Sequence, residues 1–307
     1  MTYYAIAFYY FSPIKNPHVE IKKFKSFFEN KDYKGRIYIS EEGINAQLSA
    51  PLEETENFQA WLKEDSYYQN IPVKLQETHD QAFYKMTVKY RDQLCGFDEK
   101  VDFSDACEHV SPEKWDEMLS NKGEETKVLD VRNNYESDVG HFEDAIKPDL
   151  KTFREFPAYA EDLKKQMDPE KDKLMMYCTG GIRCEYYSSY LKKEGFKNIY
   201  QLDGGVINYG NKQGSKHWNG KLFVFDDRLV TPISDDNIET ISKCKFCEES
   251  SDTYYNCANM DCNELFLSCP DCAREQKGLC CTECEGGRVR PFDDSEKPKP
   301  FRKYHSA

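Results

Sequence analysis

The stretch "KLMMYCTGGIRCEYYSSYL" sets a cysteine, Cys178, directly after an apolar run. Thr179, Gly180, Gly181, Ile182 and Arg183 follow, then a second cysteine, Cys184, and a segment of helical character. An apolar strand, a glycine loop and a helix start is the arrangement in which backbone N–H groups converge on one point, and the glycines allow the backbone angles this needs. The helix N-terminus adds partial positive charge and Arg183 a full one. A thiol at Cys178 is expected to ionise well below the free value of about 8.5, as a nucleophilic cysteine requires. The competing reading is a plain strand-to-helix turn whose cysteine is inert filling. Cys184, one residue past Arg183, either resolves an oxidised Cys178 or packs inside the helix.

A second set of residues points to metal. Nine of the 13 cysteines fall between residues 244 and 284, as "CKFC", "CANMDC", "CPDC" and "CCTEC". Spacings of two to four residues let two thiolates of one turn face the same ion, and four such pairs suit two tetrahedral zinc sites. The expected assignment is Cys244, Cys247, Cys269 and Cys272 for one site and Cys257, Cys262, Cys281 and Cys284 for the other, with Cys280 spare. A segment this short has little core of its own, so the zinc would be structural. Reduced cysteines without a metal are the alternative. Cys95 and Cys107 stand alone and read as small buried or semi-exposed residues.

The elements that must position these groups divide the 307 residues in three. Residues 1–96 read βαββαβ, a ferredoxin-like (acylphosphatase-like) α+β unit. Its strands are "YYAIAFYYF", "GRIYIS" and "INAQLSA", with "VKLQETHDQAFYKMTVKYR" as the last. Its helices carry Val19, Phe24, Phe27 and Phe28 in one case, and Leu52, Phe58, Trp61 and Leu62 after Pro51 in the other. Residues 97–225 alternate strand and helix: "SPEKWDEMLSN" opens with a Ser cap and Pro, "KVLDVR" and "KLMMYC" are strands, and Gly195 closes a helix. That order implies a parallel sheet covered on both faces. Residues 226–292 are the cysteine-rich module, and 293–307 form a polar tail expected to be flexible.

Charge sets limits. The formal net charge is −13, which speaks against general adhesion to nucleic acid or anionic membranes. The first 100 residues are nearly balanced, with 13 basic against 15 acidic, and Lys22, Lys23, Lys25, Lys34, Arg36, Lys85, Lys89 and Arg91 are there either a binding patch or a solvated surface. No stretch has the apolar length of a membrane span. The apolar N-terminus lacks basic flanks and a cleavage site, so it reads as a strand in a protein of a reducing, cytoplasmic compartment. No organic-cofactor motif stands out, and the oligomeric state is not encoded legibly.

With these motifs in view, the middle segment resembles the rhodanese family. "VLDVRNNYESDVGHFEDAI", "CTGGIR" and "LDGGV" match that family's entry motif, active loop and closing motif in order. The resemblance implies a persulfide-bearing Cys178, a loop closed by Arg183, and a structural charge pair in Asp130 and Arg132. His141, in "GHF", is expected to be a packed, hydrogen-bonded histidine. With "GRIYISEEGINAQLSAP", "TFREFP", "MMYCTGGIRCE" and the cysteine block, nearly the whole chain is similar to the rhodanese-domain tRNA uridine hydroxylases. That wider resemblance implies hydroxylation of a wobble uridine of tRNA with molecular oxygen as co-substrate, and an N-terminal domain that helps to bind RNA. Three other readings remain: a sulfurtransferase or persulfide carrier using the same cysteine, a non-catalytic RNA-binding or scaffold protein, and a phosphatase on the same fold. The phosphatase reading is disfavoured because its loop would be one residue longer.

Overall fold

Strict alternation in the first strand dictates the N-terminal architecture. In a computed structural model that describes residues 2–104, 107–235 and 239–292, strand β1 (Tyr3–Phe11) turns Ile6 and Phe8 inward. Strands β2 (Lys34–Ser40) and β3 (Gly43–Pro51) do the same with Ile37 and Ile39, and with Ile44, Ala46, Leu48 and Ala50. A period-two pattern of this kind gives a sheet one apolar face. Helices α1 (Pro17–Phe28) and α2 (Leu52–Glu64) cover that face with Phe24, Phe28, Phe58 and Leu62. Phe58 is fully buried among Phe8, Phe24 and Trp61, so truncating it to Ala would cost about 3–5 kcal/mol.

Two helix positions depart from expectation. The buried face of α1 is Pro17, Ile21, Phe24 and Phe28, a four-then-three spacing that leaves Val19 on the opposite side and 54% exposed. In α2 the first residue, Leu52, is also exposed, while Thr55 is buried and its hydroxyl donates to the carbonyl of Pro51 at 3.0 Å.

The segment expected to be one last strand is two. Strand β4 (Lys74–Thr78) pairs antiparallel with β1, whereas β5 (Met86–Tyr90) crosses to the far edge and pairs parallel with β2. The sheet order is β4-β1-β3-β2-β5, a ferredoxin-like sheet with one added strand.

The second sheet contains β6 (Glu108–Val110), β7 (Thr126–Asp130), β9 (Lys173–Tyr177) and β10 (Asn198–Leu202), in the order β6-β10-β9-β7. Strands β7 and β9 are parallel. Val128 and Leu129 are both buried, as are Leu174, Met175, Met176 and Tyr177, the mark of strands covered on both faces. Helix α3 (Pro112–Ser120) starts at Ser111, whose hydroxyl accepts from the N–H of Lys114. The short α4 (Asn134–Ser137) and β8 (Gly140–Phe142) follow β7. Helix α5 (Phe156–Gln166) precedes β9, α6 (Ile182–Lys193) follows it, and α7 (Gly205–Gln213) follows β10. Gly195 takes φ +99° just past α6, and its N–H donates to the carbonyl of Lys192.

Chain contacts define two compact units. Among the described residues, the first holds those up to Glu108, Phe153–Glu170 and Gly180–Ile199; the second holds His109–Thr152, Lys171–Thr179 and those from Tyr200 on. Within the second, the cysteine-rich segment packs on the sheet-bearing part through Tyr254, which joins Val139, Phe223 and Leu229 in one apolar cluster and donates its hydroxyl hydrogen to the carbonyl of Tyr135. The polar tail 293–307 lies outside the described residues.

Candidate active site and metal centres

Strand β9 delivers Cys178 at its C-terminal end, and a buried polar assembly in the second unit fixes that end. Asp130, fully buried at the end of β7, accepts from the backbone N–H of Arg132 at 3.0 Å and from its Nε at 2.8 Å. Arg132 Nη2 also donates to the carbonyl of Gly140 at 2.6 Å, and the guanidinium lies 5.2 Å from the centre of the Trp218 ring. Tyr177, the residue before Cys178, donates its hydroxyl hydrogen to Asp130 Oδ2 at 2.8 Å. Burial and the Asp130 charge push the Tyr177 phenol well above its ordinary range, so it stays a donor. This is the structural charge pair the rhodanese resemblance implied, with Tyr177 as a third member.

The residue pair Cys178 and Thr179 is held from the other side by the first turn of α7. Gly204 and Gly205 both take left-handed angles, φ +73° and +67°. The N–H of Val206 then donates to the carbonyl of Cys178 at 3.0 Å, and that of Ile207 to the carbonyl of Thr179 at 3.2 Å. The Thr179 hydroxyl reaches Glu136 Oε2 at 3.3 Å, while Glu136 Oε1 accepts from the backbone N–H of Asn133. Glu136 is fully buried and has its capping role in α4 from the N-x-x-E spacing of residues 133–136, a signal the sequence carried and the reading above passed over. Cys178 itself is 1% exposed.

The first unit takes over at Gly180. Gly181 caps α6 at φ +106°, and its carbonyl accepts from the N–H of Cys184 at 3.0 Å. A Cβ at Gly181 would lie 2.6 Å from the hydroxyl of Tyr9, so no larger residue fits there without displacement. Ile182 opens the helix, Arg183 is buried in its first turn, and Cys184 is fully buried. Tyr9 and Lys74, from strands β1 and β4, bond to this segment, and no periodicity or motif in the sequence pointed to either.

His141 is a packed histidine. Its Nδ1–H donates to the carbonyl of Ser137 at 2.9 Å, and its Nε2 accepts from Lys147 Nζ at 3.2 Å. Burial lowers its pKa from 6.5, so the ring is neutral near pH 7. The isolated Cys107 is buried and its thiol is pushed up to about 11, chiefly by burial, which makes it an unreactive packing residue.

The C-terminal cysteines assemble into two quartets. Cys244, Cys247, Cys269 and Cys272 have sulfur atoms within 4.8 Å of one another, as expected. The second quartet is Cys257, Cys262, Cys280 and Cys284, so Cys280 takes the place assigned to Cys281. Cys280 is buried in the small core with Cys257 and Leu279, and its N–H donates to Cys257 Sγ at 3.5 Å. Cys281 Sγ lies 3.5 Å from Cys284 Sγ, outside the mutually close set.

The quartets fit a tetrahedral ion. Ligands about 2.3 Å from a tetrahedral centre stand about 3.8 Å apart, whereas disulfide sulfurs stand about 2.0 Å apart. The separations are 3.7 Å for Cys247 to Cys269, 3.7 Å for Cys262 to Cys280 and 3.7 Å for Cys280 to Cys284. The N–H groups of Phe246 and Cys272 aim at Cys244 Sγ and Cys269 Sγ at 3.5 and 3.4 Å, which favours thiolate. Burial opposes ionisation at Cys244, yet the N–H groups of Cys247, Cys269 and Phe246 outweigh it and bring the thiol down to about 6.

Comparison with known proteins covers the same three regions. Residues 3–94 match the UPF0176 acylphosphatase-like domain, 111–212 the rhodanese-like domain and 219–285 the rhodanese C-terminal region. A Protochlamydia amoebophila protein named tRNA uridine(34) hydroxylase is 51% identical over 305 residues, spanning 99% of this chain and 95% of that one. Its Chlamydia muridarum namesake is 52% identical over 306 residues, 99% of this chain and 93% of that one. The Chlamydia felis protein of the same name is 50% identical over 99% of this chain and 94% of its own length. No helix among the described residues is long and apolar enough to cross a membrane.

Proposed function

Since the chain belongs to the tRNA uridine(34) hydroxylase family, we propose that it converts uridine 34 of tRNA to 5-hydroxyuridine, with Cys178 as the reacting thiol and molecular oxygen as co-substrate. The observation that carries the role of Cys178 is the way the fold fixes it. Tyr177 is locked to Asp130 just before it, and the first turn of α7 holds its carbonyl and that of Thr179 just after. Packing alone would not need so many directional restraints on one cysteine and its neighbours. Arg183, in the first turn of the helix the loop enters, supplies the positive charge that favours a thiolate or persulfide anion. Thr179, Gly180, Gly181 and Ile182 form the loop between them.

The two cysteine quartets each hold a zinc ion in this reading, and zinc chemistry there is structural: four thiolates leave no open position. The tRNA meets the N-terminal sheet on the face turned away from α1 and α2. Strand positions on that face include Lys34, Arg36 and Lys89 with Tyr38, and no Asp or Glu among the five strands points that way. Cationic strand positions with an aromatic ring suit phosphates and unpaired bases, and they reconcile RNA binding with a net charge of −13. The chain divides in this reading into residues 1–96, 97–225, 226–292 and 293–307, and a cytoplasmic location fits a tRNA substrate.

Mass spectrometry of tRNA nucleosides tests this against the sulfurtransferase alternative. Purified protein with unmodified tRNA, oxygen and a thiol reductant as the two-electron source should yield 5-hydroxyuridine, and it should yield little thiocyanate in a thiosulfate–cyanide assay. Efficient sulfur transfer without 5-hydroxyuridine would overturn the reading.

A further inference from the structure

Within the first unit, two neighbouring strands of the N-terminal sheet reach the glycine pair that leads into α6. Lys74 of β4 donates from Nζ to the carbonyl of Gly180. Its ammonium lies 5.3 Å from the centre of the Tyr9 ring on β1. The Tyr9 hydroxyl in turn donates to Glu185 Oε1, in the first turn of α6, at 3.0 Å. One strand thus holds the peptide before Gly181 and the other holds the helix after it.

The consequence follows from peptide geometry. In a trans peptide the C=O and the following N–H point in opposite directions, and the unit is rigid. Anchoring the Gly180 carbonyl on Lys74 therefore turns the Gly181 N–H away from Lys74. A Gly-Gly peptide is the one place in this loop where the plane can flip with little steric opposition, because neither residue has a Cβ to restrict it. The flip would present a carbonyl dipole where an amide dipole stood, reversing the local field along a loop whose purpose is to stabilise an anion.

We propose that Lys74 is a positioning residue of the reaction, locking the Gly180 peptide against this flip, with Tyr9 steering the ammonium and bracing α6. The inference rests on the reading of Cys178 as the reacting thiol, two residues before Gly180. It gives the N-terminal domain a part in building the loop as well as in meeting RNA.

Full-length Lys74→Met, Lys74→Arg and Tyr9→Phe proteins test it, with wild type and Cys178→Ala as references. Lys74→Met should keep its melting temperature, lower kcat for 5-hydroxyuridine formation about tenfold or more and leave KM for tRNA within about twofold. Its kcat profile should move to higher pH, because the loop stabilises the anion less well. Lys74→Arg, which can still reach a carbonyl, should recover most of kcat, and Tyr9→Phe should fall between. Two results would overturn the proposal. One is a Lys74→Met protein with wild-type kcat at every pH while Cys178→Ala is inactive. The other is a raised KM with unchanged kcat and a salt slope reduced by about one, which would make Lys74 a phosphate contact instead. An active Cys178→Ala protein would fault the underlying reading and not the Lys74 contact.

Discussion

The phenol of Tyr177, one residue before Cys178, donates to Asp130 at 2.8 Å across two parallel strands, and Asp130 is held by Arg132 two residues on. The three side chains form one buried unit that sets where β9 ends. Its cost structure is asymmetric: the pair is tolerable because each charge answers the other, and either one alone would be stranded.

Arg132→Ala should therefore destabilise the protein by about 3–5 kcal/mol, since it leaves the Asp130 carboxylate buried without its partner. Thermal unfolding should show a fall of about 6–20 °C in Tm, at roughly 2–4 °C per kcal/mol for a domain of this size. A shift below about 2 °C would mean that the site relaxes or hydrates without penalty.

Gly181→Ala adds a methyl at φ +106°, within 2.6 Å of the Tyr9 hydroxyl. The backbone term alone costs about 1–2 kcal/mol, and the clash must move Tyr9 off Glu185. The expected outcome is a loss of most hydroxylation with a modest drop in Tm. Full activity in this variant would show that the loop tolerates a different path into α6.

The loop was legible in the sequence because its restraints are local: a strand, two glycines and a helix start follow one another from Lys173 to Arg183. The first three strands of the N-terminal sheet were legible for the same reason, as short local runs. Tyr9 and Lys74 were invisible because they bond to residues more than a hundred positions away, and only the folded sheet brings them to Gly180 and Glu185. The single last strand became two because hydrophobic patterning does not report which edge a strand joins; residues 74–78 and 86–90 add to opposite edges of one sheet. The choice between Cys280 and Cys281 turned on which adjacent side chain faces a core that is itself made largely of cysteines, a tertiary fact that spacing does not encode.

That choice is testable. Cys280→Ser should lower bound zinc from about two ions per chain to about one, while Cys281→Ser should retain both, by elemental analysis of protein purified without chelator. Chelation should make residues beyond about 244 sensitive to protease, because the small core of Cys257, Ala258, Phe266, Leu279, Cys280 and Cys284 has few apolar side chains of its own. Retention of two ions by Cys280→Ser and loss by Cys281→Ser would restore the original assignment.

His141 gives stability a defined pH dependence. Its pKa is lowered in the folded state by burial, so the unfolded chain takes up the proton first as pH falls from about 6.5. Its contribution is complete above that value and is lost as pH falls through the lower folded pKa. A His141→Gln protein should show a shallower loss of stability as pH falls below about 6.5 in denaturant titrations. Parallel curves for the two proteins would show that His141 titrates as if free.

The most direct test of the whole account is the nucleoside composition of tRNA from a strain lacking this protein, complemented with either wild type or Cys178→Ala. The prediction is that wild type restores 5-hydroxyuridine at position 34, while Cys178→Ala, produced at the same level and with an unchanged melting curve, restores none. Restoration of 5-hydroxyuridine by Cys178→Ala to the wild-type level would contradict it.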